Sequence, residues 1–141
     1  MPDAQPYLQV STDRDVLVLT VARRQIEGAD IAAGLKEELL AAVAKHGLNK
    51  VVLDLENTVY VSSIAFWPLL TLRRQLADQG GRLVICGLRG AVQEVFTSTR
   101  MVSSSGSMNA PFETAPDRQT AVARLAGRDP SADDTDSTDT P

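Results

Sequence analysis

The sequence predicts an α/β fold in which about four helices pack against a mixed, mostly parallel sheet of about five strands. Short apolar runs of strand type alternate along the chain with longer amphipathic segments, in the order β-β-α-β-α-β-α-β-α. Hydrophobic residues make up 43% of the 141 residues, but aromatic residues only 4%. The core of this fold must therefore consist mainly of Leu, Val, Ile and Ala.

Composition divides the chain into three parts. Residues 1–6 form a short lead, residues 7–126 have the apolar content of one domain, and residues 127–141 are almost entirely Asp, Ser, Thr and Pro, which predicts a disordered tail. This tail carries five aspartates and one arginine, which equals the net charge of −4 of the whole chain and leaves 13 basic and 13 acidic residues elsewhere. A neutral domain with an acidic tail does not favour nucleic-acid binding, which requires a basic surface.

The first third of the chain predicts a hairpin followed by a helix. Tyr7–Ser11 and Asp15–Ala22 are strand-like, and the second is the more apolar and hence the more central of the two. Asp30 is a candidate N-cap for a helix over Ile31–His46, because apolar residues recur there one turn apart. Gly47 is the expected C-terminal stop.

The segment Lys50–Arg82 has the pattern of a strand, a loop, a pair of serines and a helix. Val51–Leu55 is an aliphatic run with a single charged residue, which is typical of a strand covered on both faces. From Ile64 onward, apolar residues recur with helical spacing until Gly80-Gly81, which end the helix.

Ser62 and Ser63 stand where this helix is expected to begin. Unpaired backbone N–H groups and the positive end of the helix dipole meet at that point, so a phosphate group on a serine would be favourable there. The alternative is that one of the two serines simply caps the helix. Pro68 would fall in the opening turns of a helix that begins at Ser63 and is expected to loosen or kink them.

The rest of the chain predicts two more strands and two more helices. The expected elements are a buried strand at Leu83–Cys86, a short helix at Ala91–Phe96, a flexible loop at residues 102–109, a short strand at Phe112–Thr114 and a helix at Pro116–Leu125. Cys86 is the only cysteine, which excludes an internal disulfide and is typical of a reducing compartment. Without an apolar stretch long enough to span a bilayer and without a signal peptide, the chain is expected to be cytoplasmic.

The central segment resembles a known family. Tyr60-Val61-Ser62-Ser63-Ile64-Ala65-Phe66, the helix that follows, Gly80-Gly81 and the strand Arg82–Leu88 are similar to the core of the anti-sigma factor antagonists, whose domain is called STAS. The resemblance extends from about Tyr7 to Leu125 and implies the STAS fold for residues 7–126. In this family the serine or threonine that opens the helix is phosphorylated, after an aspartate and before a small residue, a glycine and a leucine.

Alignment on the paired glycines places the phosphorylated residue of the family on Ser63, its aspartate on Ser62 and its glycine on Ala65. The resemblance thus implies phosphorylation at Ser63, with Ser62 as the alternative. It also implies a partner-binding surface that includes Ser62, Ser63, Ala65, Phe66 and Trp67. An exposed aromatic pair at Phe66 and Trp67 would suit a partner, although both could instead be buried under the helix.

The function that the resemblance implies is that of a regulatory binding module. Such a domain captures an ATP-binding anti-sigma factor with serine-kinase activity and loses this partner when it is phosphorylated. A phosphate group adds about −1.5 to −2 charges to the contact surface. Because the kinase supplies the ATP and magnesium, no cofactor or metal is expected in this chain, and no enzymatic activity.

Two other functions stay open. One is a STAS scaffold subunit of a stress-signalling or lipid-transport complex, bound to other STAS proteins and not phosphorylated, which is favoured by Ser62 and Ala65 in place of the family's aspartate and glycine. The other is an enzyme with Ser62 or Ser63 as nucleophile. The absence of a Gly-x-Ser-x-Gly sequence argues against it, as does the single histidine, His46, which a helix end already explains.

Overall fold

The computed structural model describes residues 7–102 and 111–126, and within them it has seven strands and four α-helices. The strands are β1 (Leu8–Asp13), β2 (Val16–Val21), β3 (Gln25–Ile26), β4 (Lys50–Asp54), β5 (Tyr60–Val61), β6 (Arg82–Cys86) and β7 (Glu113–Ala115). The helices are α1 (Ala29–His46), α2 (Phe66–Asp78), α3 (Gly90–Ser98) and α4 (Arg118–Ala126), and a 3₁₀ turn at Ser63–Ala65 directly precedes α2.

Five of the strands form one mixed sheet in the order β1-β2-β4-β6-β7. β1 and β2 pair antiparallel as a hairpin, whereas β2-β4, β4-β6 and β6-β7 all pair in parallel. All six residues of β2 are buried, so this strand is indeed more central than β1. The predicted α/β class, the five-stranded sheet and the four helices are confirmed.

The two faces of this sheet carry separate apolar cores. Alternate residues of a strand point to opposite faces, so Val51 and Leu53 of β4 pack on one side and Val52 on the other. The larger core lies between the first face and α1, α2 and α3, and the smaller core lies under α4. This two-sided coverage explains why the strands β4 and β6 are almost uninterrupted apolar runs.

A buried polar contact joins α4 to the sheet. The carboxylate of Asp54, at the end of β4, is 1% exposed and accepts hydrogen bonds from the guanidinium of Arg118 at 3.0 and 3.2 Å. Arg118 also donates to the hydroxyl of Thr20 at 3.1 Å, and the other Asp54 oxygen accepts from the amide of Glu56 at 2.9 Å. The single charge in the apolar run of β4 is therefore paired, as a buried carboxylate requires.

The ends of α1 differ in part from the prediction. The helix begins at Ala29 after Gly28, which has a φ of 90°, and no side-chain cap is present. Asp30 is thus not the N-cap, although its charge still lies in the first turn, where the helix dipole favours it. Gly47 ends the helix as expected, in the left-handed conformation at φ 66°, with its amide donating to the carbonyl of Val43 at 3.0 Å.

The prediction that an α-helix begins at Ser63 is wrong by three residues. Ser63–Ala65 form a 3₁₀ turn and α2 starts at Phe66, so Pro68 is the third residue of the helix. The first amides of a helix have no intrahelical partner, and a proline there removes no hydrogen bond. Pro68 therefore fits the beginning of α2 and does not interrupt it. The paired glycines follow the end of this helix as expected, with Gly80 at φ 71°.

Three predictions lie outside the described residues: the lead at 1–6, nearly all of the flexible loop at 102–109, and the disorder of the acidic tail at 127–141. They stay predictions. Among the helices that the structure describes, none is long and apolar enough to cross a membrane.

Candidate functional site

A small second sheet holds the chain in front of the two serines. β3 pairs in parallel with β5, and the amide of Ser62, just after β5, donates to the carbonyl of Ile26 at 3.0 Å. The hydroxyl of Thr58, a buried residue, donates to the carbonyl of Arg23 at 2.8 Å. These contacts anchor the backbone as far as Ser62. Strands of two residues are too short to show a periodic pattern, so the sequence did not predict them.

The two serines lie in different surroundings. Ser62 is half-buried and extended, with φ −98° and ψ 169°, and its carbonyl accepts from the amide of Ala65 at 3.0 Å. Its side chain makes no capping hydrogen bond, so the structure does not support the interpretation that Ser62 is a cap. Ser63 is exposed at the first position of the 3₁₀ turn. An incoming enzyme can therefore reach the Ser63 hydroxyl more easily.

Ala65 and Phe66 lie in the core. Ala65 is 0% exposed and Phe66 is 5% exposed, and the Phe66 ring meets the ring of Phe96 edge to face with centroids 4.9 Å apart. Phe96 in turn contacts Phe112 at 6.2 Å, so the three phenylalanines form one buried aromatic cluster. Of the two possibilities left open for Phe66, the structure shows burial and not exposure, because the first turn of α2 directs this ring toward Phe96 of α3. In this structure neither Ala65 nor Phe66 offers its side chain to a partner.

Trp67 is exposed, which is the other of the two possibilities left open for the aromatic pair, and further large apolar side chains near it in the sequence are exposed as well. Among the described residues, four large apolar side chains are at least 40% exposed, and three of them lie within four residues of Ser63: Val59 (45%), Tyr60 (40%) and Trp67 (45%). We call Val59, Tyr60, Ser63 and Trp67 the serine patch. Exposed apolar side chains that form a contiguous patch mark interaction sites, and large aromatic side chains are frequent anchors at such sites.

One basic side chain, that of Lys36, contacts the serine patch, and no local pattern of the sequence predicts this contact. The ammonium group of Lys36, on α1, lies 5.1 Å from the centroid of the Trp67 ring. The carbonyl of Arg24 accepts from the amides of Val59 and Tyr60 at 2.7 and 3.2 Å, which places this exposed residue beside β5. Arg23 instead stacks on Tyr7, with 4.9 Å between guanidinium carbon and ring centroid.

The groups that nucleophilic or metal catalysis requires are not assembled near Ser63. His46 is the last residue of α1, ten residues and therefore about 15 Å along the axis from Lys36, the residue of this helix that meets the patch. No group of three or more His, Cys, Asp or Glu that could hold a metal occurs in the described part of the chain.

Cys86 is also unsuited to nucleophilic chemistry. It is buried in β6, and burial, together with the negative charge of Asp54, raises the pKa of its thiol to about 12. At neutral pH the thiol therefore stays protonated and out of reach of solvent. The expectation that Cys86 is a small buried apolar residue agrees with its place in the core.

Comparison with known proteins relates this geometry to one family. The family model described as STAS domain matches residues 7–121. A protein of Bordetella bronchiseptica, provisionally named anti-sigma factor antagonist BtrV, is 37% identical over 93 residues, which cover 66% of this chain and 79% of that protein.

Solved structures show the same fold. An anti-sigma factor antagonist from Mycobacterium paratuberculosis superimposes with a TM-score of 0.70 at 19% identity, over 90% of this chain and 98% of that one. The phosphorylated form of the Bacillus cell fate determinant SpoIIAA superimposes with a TM-score of 0.58 at 13% identity, over 84% of this chain and 98% of that one. At these identities the likeness is one of fold.

Proposed function

Because this chain belongs to the STAS domain family, we propose that it is a regulatory module that binds an ATP-dependent anti-sigma factor with serine-kinase activity. In this proposal the unmodified chain binds its partner through the serine patch, and phosphorylation of Ser63 ends the binding. The observation that carries the proposal is the exposure of Ser63 within four residues of three half-exposed apolar side chains.

The chemistry of the serine patch explains why a phosphate would act as a switch. A partner that covers Val59, Tyr60 and Trp67 removes these side chains from water, and the Ser63 hydroxyl between them loses water as well. A phosphate group brings about −1.5 to −2 charges to the same place, and burying such a charge without a partner group is strongly unfavourable. Phosphorylation is therefore expected to weaken the binding of the partner strongly.

Two similarities support this function. The relative from Bordetella bronchiseptica bears the name of an anti-sigma factor antagonist, and SpoIIAA, which shares the fold, has been observed in a phosphorylated form. The kinase would supply ATP and magnesium, so this chain would act as a substrate and not as an enzyme. We propose the cytoplasm, where sigma factors act, as the location of the binding.

Phosphorylation with radiolabelled ATP tests the proposal. The wild-type chain, Ser62→Ala and Ser63→Ala are each incubated with a purified anti-sigma factor kinase of the same organism, and binding to that kinase is measured by calorimetry. We expect label on wild type and on Ser62→Ala, and none on Ser63→Ala, which still binds. Ser63→Asp should bind at least tenfold more weakly, a change of about 1.4 kcal/mol.

The opposite labelling pattern would identify Ser62 as the modified residue. If no variant is labelled and Ser63→Asp binds as tightly as wild type, the switch is excluded.

A second candidate function is a scaffold subunit that binds other STAS proteins without being phosphorylated. It is favoured by Ser62, which offers a half-buried hydroxyl where phosphorylated members of the family carry an aspartate. Equal retention of a second STAS protein by wild type and by Ser63→Asp, in co-purification and size-exclusion chromatography, would support it. Loss of that protein only from Ser63→Asp would favour the switch.

A further inference from the structure

The contact between Lys36 and Trp67 gives the serine patch a charged component from a different helix. We propose that the ammonium group of Lys36 forms an ion pair with a phosphate group on Ser63. The movement of Lys36 from the indole of Trp67 to this phosphate would be the structural response to phosphorylation. This inference rests on the proposed function, because it assumes that Ser63 is the modified residue. It adds the residue that would bind the phosphate and the change that this binding would cause at the Trp67 side chain.

Ser63 and Lys36 lie on two elements that pack against each other. Ser63 opens the 3₁₀ turn that continues directly into α2, where Trp67 is the second residue, and both residues are exposed. α1 packs against both the 3₁₀ turn at Ser63–Ala65 and α2. The Lys36 ammonium is already 5.1 Å from the centre of the Trp67 ring, at the end of a flexible four-carbon stem.

No carboxylate lies one helical turn from Lys36 on α1, because its sequence neighbours Glu37 and Glu38 are at other positions around the helix. Its neighbours one turn away on α1 are all apolar: Ala32, Ala33, Leu39 and Leu40. One turn from Trp67 on α2 lie Leu70 and Thr71, which are also uncharged. The salt bridges found among the described residues do not involve Lys36.

Lys36 is therefore held mainly by the face of the indole, and this contact is weak because Trp67 is 45% exposed to water. A phosphate accepts charge-assisted hydrogen bonds from an ammonium group, and these are stronger. When Lys36 turns toward the phosphate, the Trp67 ring loses its cation and the patch gains negative charge. One modification would thus change both the charge and the aromatic surface that a partner meets.

The experiment places phosphoserine at position 63 of the intact chain during translation, so that no kinase is needed. The phosphorylated wild type is compared with phosphorylated Lys36→Met, which keeps the apolar stem and loses the charge. Phosphorylated Lys45→Met is the matched control, since Lys45 is an exposed lysine in the last turn of the same helix. The second pKa of the phosphate is measured by ³¹P NMR, and the emission of Trp67, the only tryptophan, by fluorescence.

A nearby cation stabilises the phosphate dianion, so its loss must raise the second pKa. We expect Lys36→Met to raise this pKa by roughly 0.2–0.7 of a unit and Lys45→Met to leave it unchanged. Phosphorylation should change Trp67 emission in wild type and in Lys45→Met, and much less in Lys36→Met.

Equal phosphate pKa values in wild type and Lys36→Met would overturn the inference. A kinase that fails to label Ser63 would contradict the proposed function, but it would not alter this result, because the phosphate is installed independently. If circular dichroism shows that phosphoserine unfolds the chain, Ser63→Asp with and without Lys36→Met replaces it. An identical change of Trp67 emission in those two proteins would then refute the role of Lys36.

Discussion

Phe66 and Trp67 are neighbours in the chain but lie in opposite surroundings. Phe66 is packed against Phe96 in the core, whereas Trp67 is 45% exposed beside Lys36. We predict that Phe66→Ala lowers the free energy of unfolding by about 3–5 kcal/mol, and that Trp67→Ala lowers it by less than about 1 kcal/mol. Urea titration followed by circular dichroism measures both values.

For partner binding we expect the reverse: Trp67→Ala should have the larger effect and Phe66→Ala the smaller one. Trp67→Ala is expected to weaken the partner complex by about 2 kcal/mol or more, as truncation of an aromatic anchor does. Phe66→Ala, studied where it is still folded, should affect binding less. A large loss of stability in Trp67→Ala would assign this side chain to the core and remove it from the serine patch.

The sequence locates the serines but not the environment of each one. Ser62 and Ser63 are recognisable because a helix start is a local pattern, and Trp67 follows them directly. Lys36 and Ile26 are about thirty residues or more away in the sequence and reach the site only through the packing of α1 and the pairing of β3 with β5. No periodicity of single residues encodes such contacts.

At the scale of the elements, two ion pairs that differ in the burial of the carboxylate connect α4 to the rest of the domain. Arg118 binds Asp54, whose side chain is 2% exposed, whereas Arg124 lies 3.4 Å from Glu113, whose side chain is 32% exposed. We predict that Arg118→Met lowers the free energy of unfolding by about 1–3 kcal/mol, because a buried carboxylate loses its partner. Arg124→Met, on the same helix, should cost less than about 1 kcal/mol.

Thermal unfolding of the two variants compares these losses directly. Equal losses of stability would show that hydrogen bonds from the Glu56 amide and from solvent are sufficient for the Asp54 carboxylate. Arg118 would then not stabilise the packing of α4.

The order of the elements could be predicted because each long helix and each buried strand has its own periodic pattern. The first residues of the helices could be predicted less well from the sequence. α1 starts at Ala29 without the Asp30 cap, and α2 starts at Phe66 because Pro68 can take part only in the first turn. The contact of Asp54 with Arg118 spans 64 residues of sequence and was not predictable from either position alone.

At the scale of the whole molecule, Cys86 links stability to alkaline pH. Burial first, and then the charge of Asp54, raises the pKa of the folded thiol to about 12, against an ordinary value of 9.0. Between these values the unfolded chain has released a proton that the folded chain keeps, so the free energy of unfolding must fall as pH rises. The slope attributable to this thiol is up to about 1.4 kcal/mol per pH unit.

Urea midpoints at about pH 8 and about pH 10.5 test this prediction. Cys86→Ala removes the thiol, so its midpoint should fall less between the two pH values than that of wild type, whereas other titrating groups affect both proteins alike. If the two proteins lose stability in parallel, the thiol does not contribute.

The pairing of β3 with β5 also divides the molecule into parts of unequal local stability. These strands have two residues each and form a sheet apart from the five-stranded one, so the segment before Ser63 can detach without breaking a ladder of the main sheet. In hydrogen–deuterium exchange, the amide of Ser62 should therefore exchange much faster than the amides of Val52 and Val84. A modifying enzyme would then meet Ser63 directly after a segment that opens locally while the rest of the domain stays folded.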